Sequence, residues 1–158
     1  MLQHVMVPLD GSGLAEKALP YARQIIEDGG KITLLSAIDV PEYAVSAFYT
    51  AGVISENTNH QLMVDQMVPQ TYGYLDGISR TLQNAGFQVE CTAIIGEAAT
   101  SIIEKAEETK VDAIVMCTHG RSGFSRWLFG SVTSKVLGGT TCPVFVVPNR
   151  DKEDQSNV

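Results

Sequence analysis

Strand-like and helix-like segments alternate along this chain, and the strand-like segments are continuous apolar runs rather than in–out alternations. Those two observations predict an α/β fold, a parallel sheet with helices on both faces. A third adds direction: the two most unusual turns, at Asp10 and after Thr118, each follow a strand. In a doubly wound, Rossmann-like sheet of five strands in the order 3-2-1-4-5, strands 1 and 4 flank the point where the strand order reverses. Ligands bind there, beyond the carboxyl ends of the strands.

The elements follow in order. HVMVPL (4–9) is a strand running into the turn Asp10-Gly11-Ser12-Gly13. Leu14, Ala18, Ala22, Ile25 and Ile26 recur at helical spacing, and Gly29-Gly30 reads as the helix stop. KITLLSAIDV (31–40) is a buried strand closed by Pro41, and residues 41–61 read as a loop. Val68, Tyr72, Leu75, Ile78 and Leu82 mark a helix with Pro69 near its start and Gly86 at its end. QVECTAII (88–95) is the third strand. Gly96 leads into a helix carrying Ile102, Ile103 and Ala106. DAIVMCTH (112–119) and VFVV (144–147) are the fourth and fifth strands. Between them lies a helix from about Gly130, with Val132, Val136 and Leu137 inward and Gly138-Gly139 as its stop. Residues 1–148 make a single domain and 149–158 a disordered polar tail.

Composition narrows the function. At 158 residues, 44% hydrophobic and 18% charged, the chain suits one globular domain with a real core. A net charge of −7 argues against a nucleic-acid partner. No apolar run reaches the ~20 residues of a membrane span, and MLQHVMVPLDGS lacks the plan of a signal peptide; a cytoplasmic protein is expected. Cys91, Cys117 and Cys142 show no metal-site spacing, and Cys91 and Cys142 read as small buried hydrophobes inside strands.

The stretch THGRSGFSRWLFGSVTSKV (118–136) combines glycines, arginines and hydroxyls around the apolar Trp127-Leu128-Phe129. Gly120 and Gly123 let backbone approach a ligand. Gly130 opens a helix whose first N–H groups have no intrahelical partner, with Ser131 and Thr133 in that turn and Arg121 and Arg126 nearby. A phosphate cradle and a plain helix cap both fit these residues. Neither the P-loop nor the dinucleotide glycine fingerprint is present. Asp10 suits either a ribose carboxylate or an Asx turn, and His119 either a ligand contact or a turn donor. No catalytic triad, carboxylate pair or metal cluster stands out, so an enzymatic role is uncertain.

VMVPLDGS, LLSAID, AIVMCTHGRSGFSRWLFGSVTSKVL and CPVFVVP together resemble the universal stress protein family, the UspA-like domain with its adenine nucleotide alpha hydrolase-like fold, over residues 2–148. The nucleotide-binding branch of that family carries G-x-x-G, nine residues, then G-[ST]. Here Gly120 and Gly130-Ser131 match and Cys117 replaces the first glycine. The cysteine crowds the nucleotide if close backbone approach is needed, and costs little if it ends a strand with ordinary dihedrals. The resemblance implies ATP as the ligand, with Mg²⁺ on its phosphates. Pro8 and Leu9 would line base and sugar, Asp10 the ribose, and Ala37 the adenine. Gly120 and Arg121 would border the triphosphate, which Ser131, Val132 and Thr133 bind, and Cys117 and His119 are counted with the nucleotide site. It also implies a homodimer through the last strand (about 143–148) and a role as a small stress-response regulator. A slow ATPase and a nucleotide-free interaction module are the alternatives.

Overall fold

The computed structural model describes residues 1–39, 63–118 and 129–149. The expected loop 41–61, His119, Gly120, Arg121, Trp127, Leu128 and the tail from residue 150 lie outside them. A five-stranded sheet, every pairing parallel, has the order β3-β2-β1-β4-β5 that the sequence predicts. Its strands are β1 (Leu2–Pro8), β2 (Ile26–Ile38), β3 (Gln88–Ile95), β4 (Ala113–Thr118) and β5 (Val144–Pro148). Helices α1 (Gly13–Glu16), α2 (Leu19–Ile25), α3 (Val68–Asn84), α4 (Ala98–Thr109) and α5 (Ser131–Gly139) cover it, and a π-helical turn at Met63–Met67 leads into α3.

The central strand shows why the runs are apolar on both sides. Val5, Met6 and Val7 are all wholly buried. Val5 and Val7 join Ile32, Leu34 and Val115 beneath Ala22 of α2 and Leu75 and Leu82 of α3. Met6 joins Leu35, Ile114 and Met116 on the opposite face, beneath Ile102 and Ala106 of α4 and Val136 of α5. Each fully buried Leu or Ile in these layers contributes roughly 1.5–3 kcal/mol relative to exposure. The strands that carry loops to the site are therefore pinned from both faces.

The helix expected from Leu14 to Gly29 is instead two short helices and the start of a strand. Pro20 falls in the first turn of α2, where its missing N–H costs nothing but its ring cannot continue a helix from the turn before. The break is closed by tight bonds, Lys17 N–H to Leu14 O at 3.1 Å and Ala18 N–H to Ala15 O at 3.1 Å. At Ile26 the chain becomes extended and pairs with Leu2. Gly29-Gly30 is not a helix stop but part of an irregularity in β2: β1 moves from Leu2 to His4 while β2 moves from Ile26 to Lys31. Gly29 has φ 77, and a Cβ on Gly30 would meet the Ile26 side chain at 2.6 Å. Glycine is needed at both places.

Smaller corrections concern single side chains. In α3, Leu75, Ser79 and Leu82 are buried while Tyr72 is 38% exposed. In α5, Thr133 and Val136 face inward, so Leu137, about 100° further round, points out and is 39% exposed. Phe129 is 47% exposed. Cys91 lies half-buried in β3, but Cys142 lies in the turn before β5, its Sγ 3.4 Å from the Val111 carbonyl oxygen. Asn149, assigned by sequence to the tail, accepts a hydrogen bond from Lys17 Nζ at 2.6 Å.

Candidate functional site

A cavity of about 420 Å³ opens beyond the carboxyl ends of β1 and β4, at the reversal point of the sheet. Its size falls within the range of small-molecule sites. Pro8, Leu9 and Asp10 line it from β1 and Ala37 from β2. Cys117 lines it from β4, and Gly130, Ser131, Val132 and Thr133 from the start of α5. The chain thus brings these sequence-predicted residues to one place; His119, Gly120 and Arg121 are outside the described residues. The lining also includes residues that sequence reasoning missed: Leu14 and Ala15 of α1, Leu35, Met116, and Ala98 and Ile102 of α4. They are ordinary apolar residues, and only their position at element ends carries a signal.

The β1 side is tightly specified. Leu9 N–H donates to the Leu35 carbonyl at 2.8 Å, extending the β1–β2 ladder past Pro8. Gly11, with φ 82, makes the turn that an L side chain would strain. Asp10 Oδ1 accepts from the Ser12 N–H at 2.9 Å and from the Ser12 hydroxyl. Ser12 Oγ in turn accepts from Ala15 N–H at 3.1 Å and caps α1. The Asx-turn reading of Asp10 is therefore correct for one carboxylate oxygen. Oδ2 has no hydrogen-bond partner among the described residues. From α3 the Tyr74 hydroxyl donates to Glu16 Oε1 at 3.0 Å. Burial, that bond and the nearby carboxylates push the Tyr74 phenol far above its ordinary range.

The β4 side is built differently. Thr118 Oγ1 accepts from Gly130 N–H at 3.3 Å, tying the end of β4 to the start of α5. Gly130 caps α5 without a side-chain hydrogen bond, and the first helical bond runs from Ser134 N–H to Gly130 O at 2.9 Å. The N–H groups of Ser131, Val132 and Thr133 thus have no intrahelical acceptor and sit at the positive end of the helix. Thr133 is only 3% exposed, yet its hydroxyl has no partner among the described residues. A buried hydroxyl without a partner is costly, and an acceptor entering the cavity would relieve that cost.

Cys117 lies inside β4, paired with Val147, and does not have positive φ. Its backbone has no need of glycine, so the substitution acts only through the side chain, which lines the cavity. Burial pushes its thiol pKa up, which lowers its thiolate fraction and reactivity. Across the rim, Glu97 at the N-cap of α4 accepts from Thr100 N–H at 2.8 Å and Thr100 Oγ1 at 2.7 Å. It also pairs with Lys135 Nζ of α5 at 3.1 Å. The Thr100 bonds, with Lys135 after them, lower the Glu97 carboxyl to about 2. Glutamate is not a favoured N-cap residue, so the sequence did not advertise this role.

A five-stranded parallel sheet with a cavity at its reversal point and a bare helix start beside it defines a doubly wound α/β domain. The family model of the universal stress protein family matches residues 1–148, and the chain belongs to that family. It is 26% identical over 158 residues to universal stress protein MJ0577 of Methanocaldococcus jannaschii, covering 96% of this chain and 98% of that one. The solved structure of MJ0577 superposes with a TM-score of 0.75, covering 96% and 99%. A universal stress protein in complex with cAMP is similar at a TM-score of 0.62 and 22% identity, covering 94% and 98%. A family member from Arabidopsis thaliana with AMP bound is similar at 0.65 and 16%, covering 98% and 97%.

Proposed function

We propose that this protein binds ATP in the cavity between β1, β4 and α5, and acts as a small cytoplasmic regulator of the stress response. The observation that carries the reading is the pairing of opposite walls. The Asp10 carboxylate, with one oxygen uncommitted, faces a helix start that offers N–H groups and the buried Thr133 hydroxyl. A ribose needs acceptors and a polyphosphate needs donors, and the walls supply one each. Adenine would lie against Ala37 and the backbone of Pro8 and Leu9; the phosphates would meet Ser131, Val132 and Thr133, with Mg²⁺ neutralising them. His119, Gly120 and Arg121 belong to the same assignment. The AMP and cAMP carried by two structural relatives support an adenine nucleotide as the ligand class.

The same reading includes a homodimer through β5. Among the described residues β5 pairs only with β4 and forms an edge of the sheet. It presents Phe145 at 45% exposure beside an unpaired backbone edge, a combination that another strand would cover. Nucleotide binding is tested by denaturing freshly purified protein, separating the supernatant by anion exchange, and titrating refreshed protein with Mg-ATP in a calorimeter. Released adenine nucleotide or a saturable heat is expected. Neither appearing would end the ATP reading and leave the nucleotide-free interaction module in its place.

A further inference from the structure

We propose that Tyr74 is a positioning residue for Asp10: its phenol holds the β1–α1 turn in the orientation that presents the free carboxylate oxygen to a ribose. This rests on the nucleotide reading above and deepens it.

Tyr74 does not line the cavity. It reaches the turn from α3, donating to Glu16 Oε1 at 3.0 Å. That hydroxyl holds the last residue of α1, whose own N–H donates to the Ser12 carbonyl at 3.3 Å. From there the bonds of Ala15 to Ser12 and of Ser12 to Asp10 lead back to the site.

The turn needs an outside anchor. α1 has four residues and no buried ones, far below the length at which a helix sustains itself. Gly11 next to Asp10 has positive φ and the broadest backbone freedom of any residue. The local bonds fix the shape of the turn, and Ala15 rests it against the core cluster. Tyr74 adds a directional bond from α3. α3 is anchored by Leu75 and Leu82 in the core, and the Tyr74 ring packs half-buried against the same cluster. If Tyr74 were only core filling, phenylalanine would serve as well, and the hydroxyl separates the two roles.

The test is Tyr74→Phe, which keeps the ring, titrated by calorimetry with Mg-ATP and with Mg-2′,3′-dideoxyATP, which lacks the hydroxyls Asp10 would hold. ATP affinity is expected to fall about tenfold, the size of losing a hydrogen bond to a charged group. Dideoxy-ATP affinity should stay within about twofold, inside the few tenths of a kcal/mol that neutral substitutions cause. Glu16→Ala, which leaves the tyrosine intact, should show the same selectivity. Equal losses on both nucleotides, or no loss on ATP, would overturn the positioning role while leaving ATP binding standing. If the wild-type protein binds neither nucleotide, the nucleotide reading fails and this inference falls with it.

Discussion

The two walls of the cavity are opposites in how their polar groups are used. The β1–α1 turn is well bonded: Asp10, Ser12, Ala15, Glu16 and Tyr74 are joined by hydrogen bonds, with one Asp10 carboxylate oxygen unpartnered among the described residues. The start of α5 is bare. Its cap brings no side-chain bond, and the Thr133 hydroxyl is buried without a partner among the described residues. A well-bonded wall holds its shape whatever occupies the cavity. A bare wall has donors whose cost is recovered only when an acceptor arrives. Shape is thus stored on one side and unsatisfied donors on the other.

Gly130→Val attacks the bare wall most directly. A Cβ at Gly130 meets none of the described residues within 4 Å, so the fold should survive while the added bulk stands where phosphate would approach. ATP affinity is expected to fall at least about a hundredfold, near 2.8 kcal/mol, with an unchanged circular dichroism spectrum. Unchanged affinity would place the phosphates elsewhere. Asp10→Asn tests the well-bonded wall. Asparagine keeps an acceptor for the Ser12 N–H and so keeps the turn, but loses the charge offered to ribose. A loss of about tenfold is expected for ATP, and almost none for dideoxy-ATP.

Thr133→Val sharpens the contrast because its two effects have opposite signs. Replacing a buried, unpartnered hydroxyl by a methyl group should stabilise the free protein by up to about 1 kcal/mol, read as a higher Tm. The same change should weaken ATP about fivefold. A variant less stable and equally tight would mean that the hydroxyl already has a partner in the free protein.

The smallest expected effect is at Glu97. Its carboxyl is held at about 2, below the ordinary 4.5, so its contribution is fully present above about pH 4.5 and is lost as pH falls toward 2. Glu97→Gln should therefore lower Tm slightly at pH 7, and the difference from wild type should vanish near pH 2. A difference that grows on acidification would contradict this assignment.

The topology was legible because burial on both faces writes itself into composition: Val5-Met6-Val7 and Leu34-Leu35 are consecutive apolar residues with no polar alternation to misread. The boundaries were less so. Ile26 fits a helical stripe as well as a strand, and only its pairing with Leu2 decides between them. Leu137 illustrates the same limit, since an apolar residue beside an inward one reads as core until the helix is turned. In the site, glycines, hydroxyls and Asp10 were visible because they carry chemistry. Tyr74 and Glu97 were not, because their roles depend on partners at Glu16 and Lys135, distant in sequence, and no local pattern encodes those distances.

The Glu97 carboxylate has a mechanical consequence. One side chain caps α4 and grips Lys135 of α5, so the two helices on that face of the sheet share a strut at the rim of the cavity. Both partners of that pair are well exposed, so the tie between the two helices is modest and should weaken as salt is added.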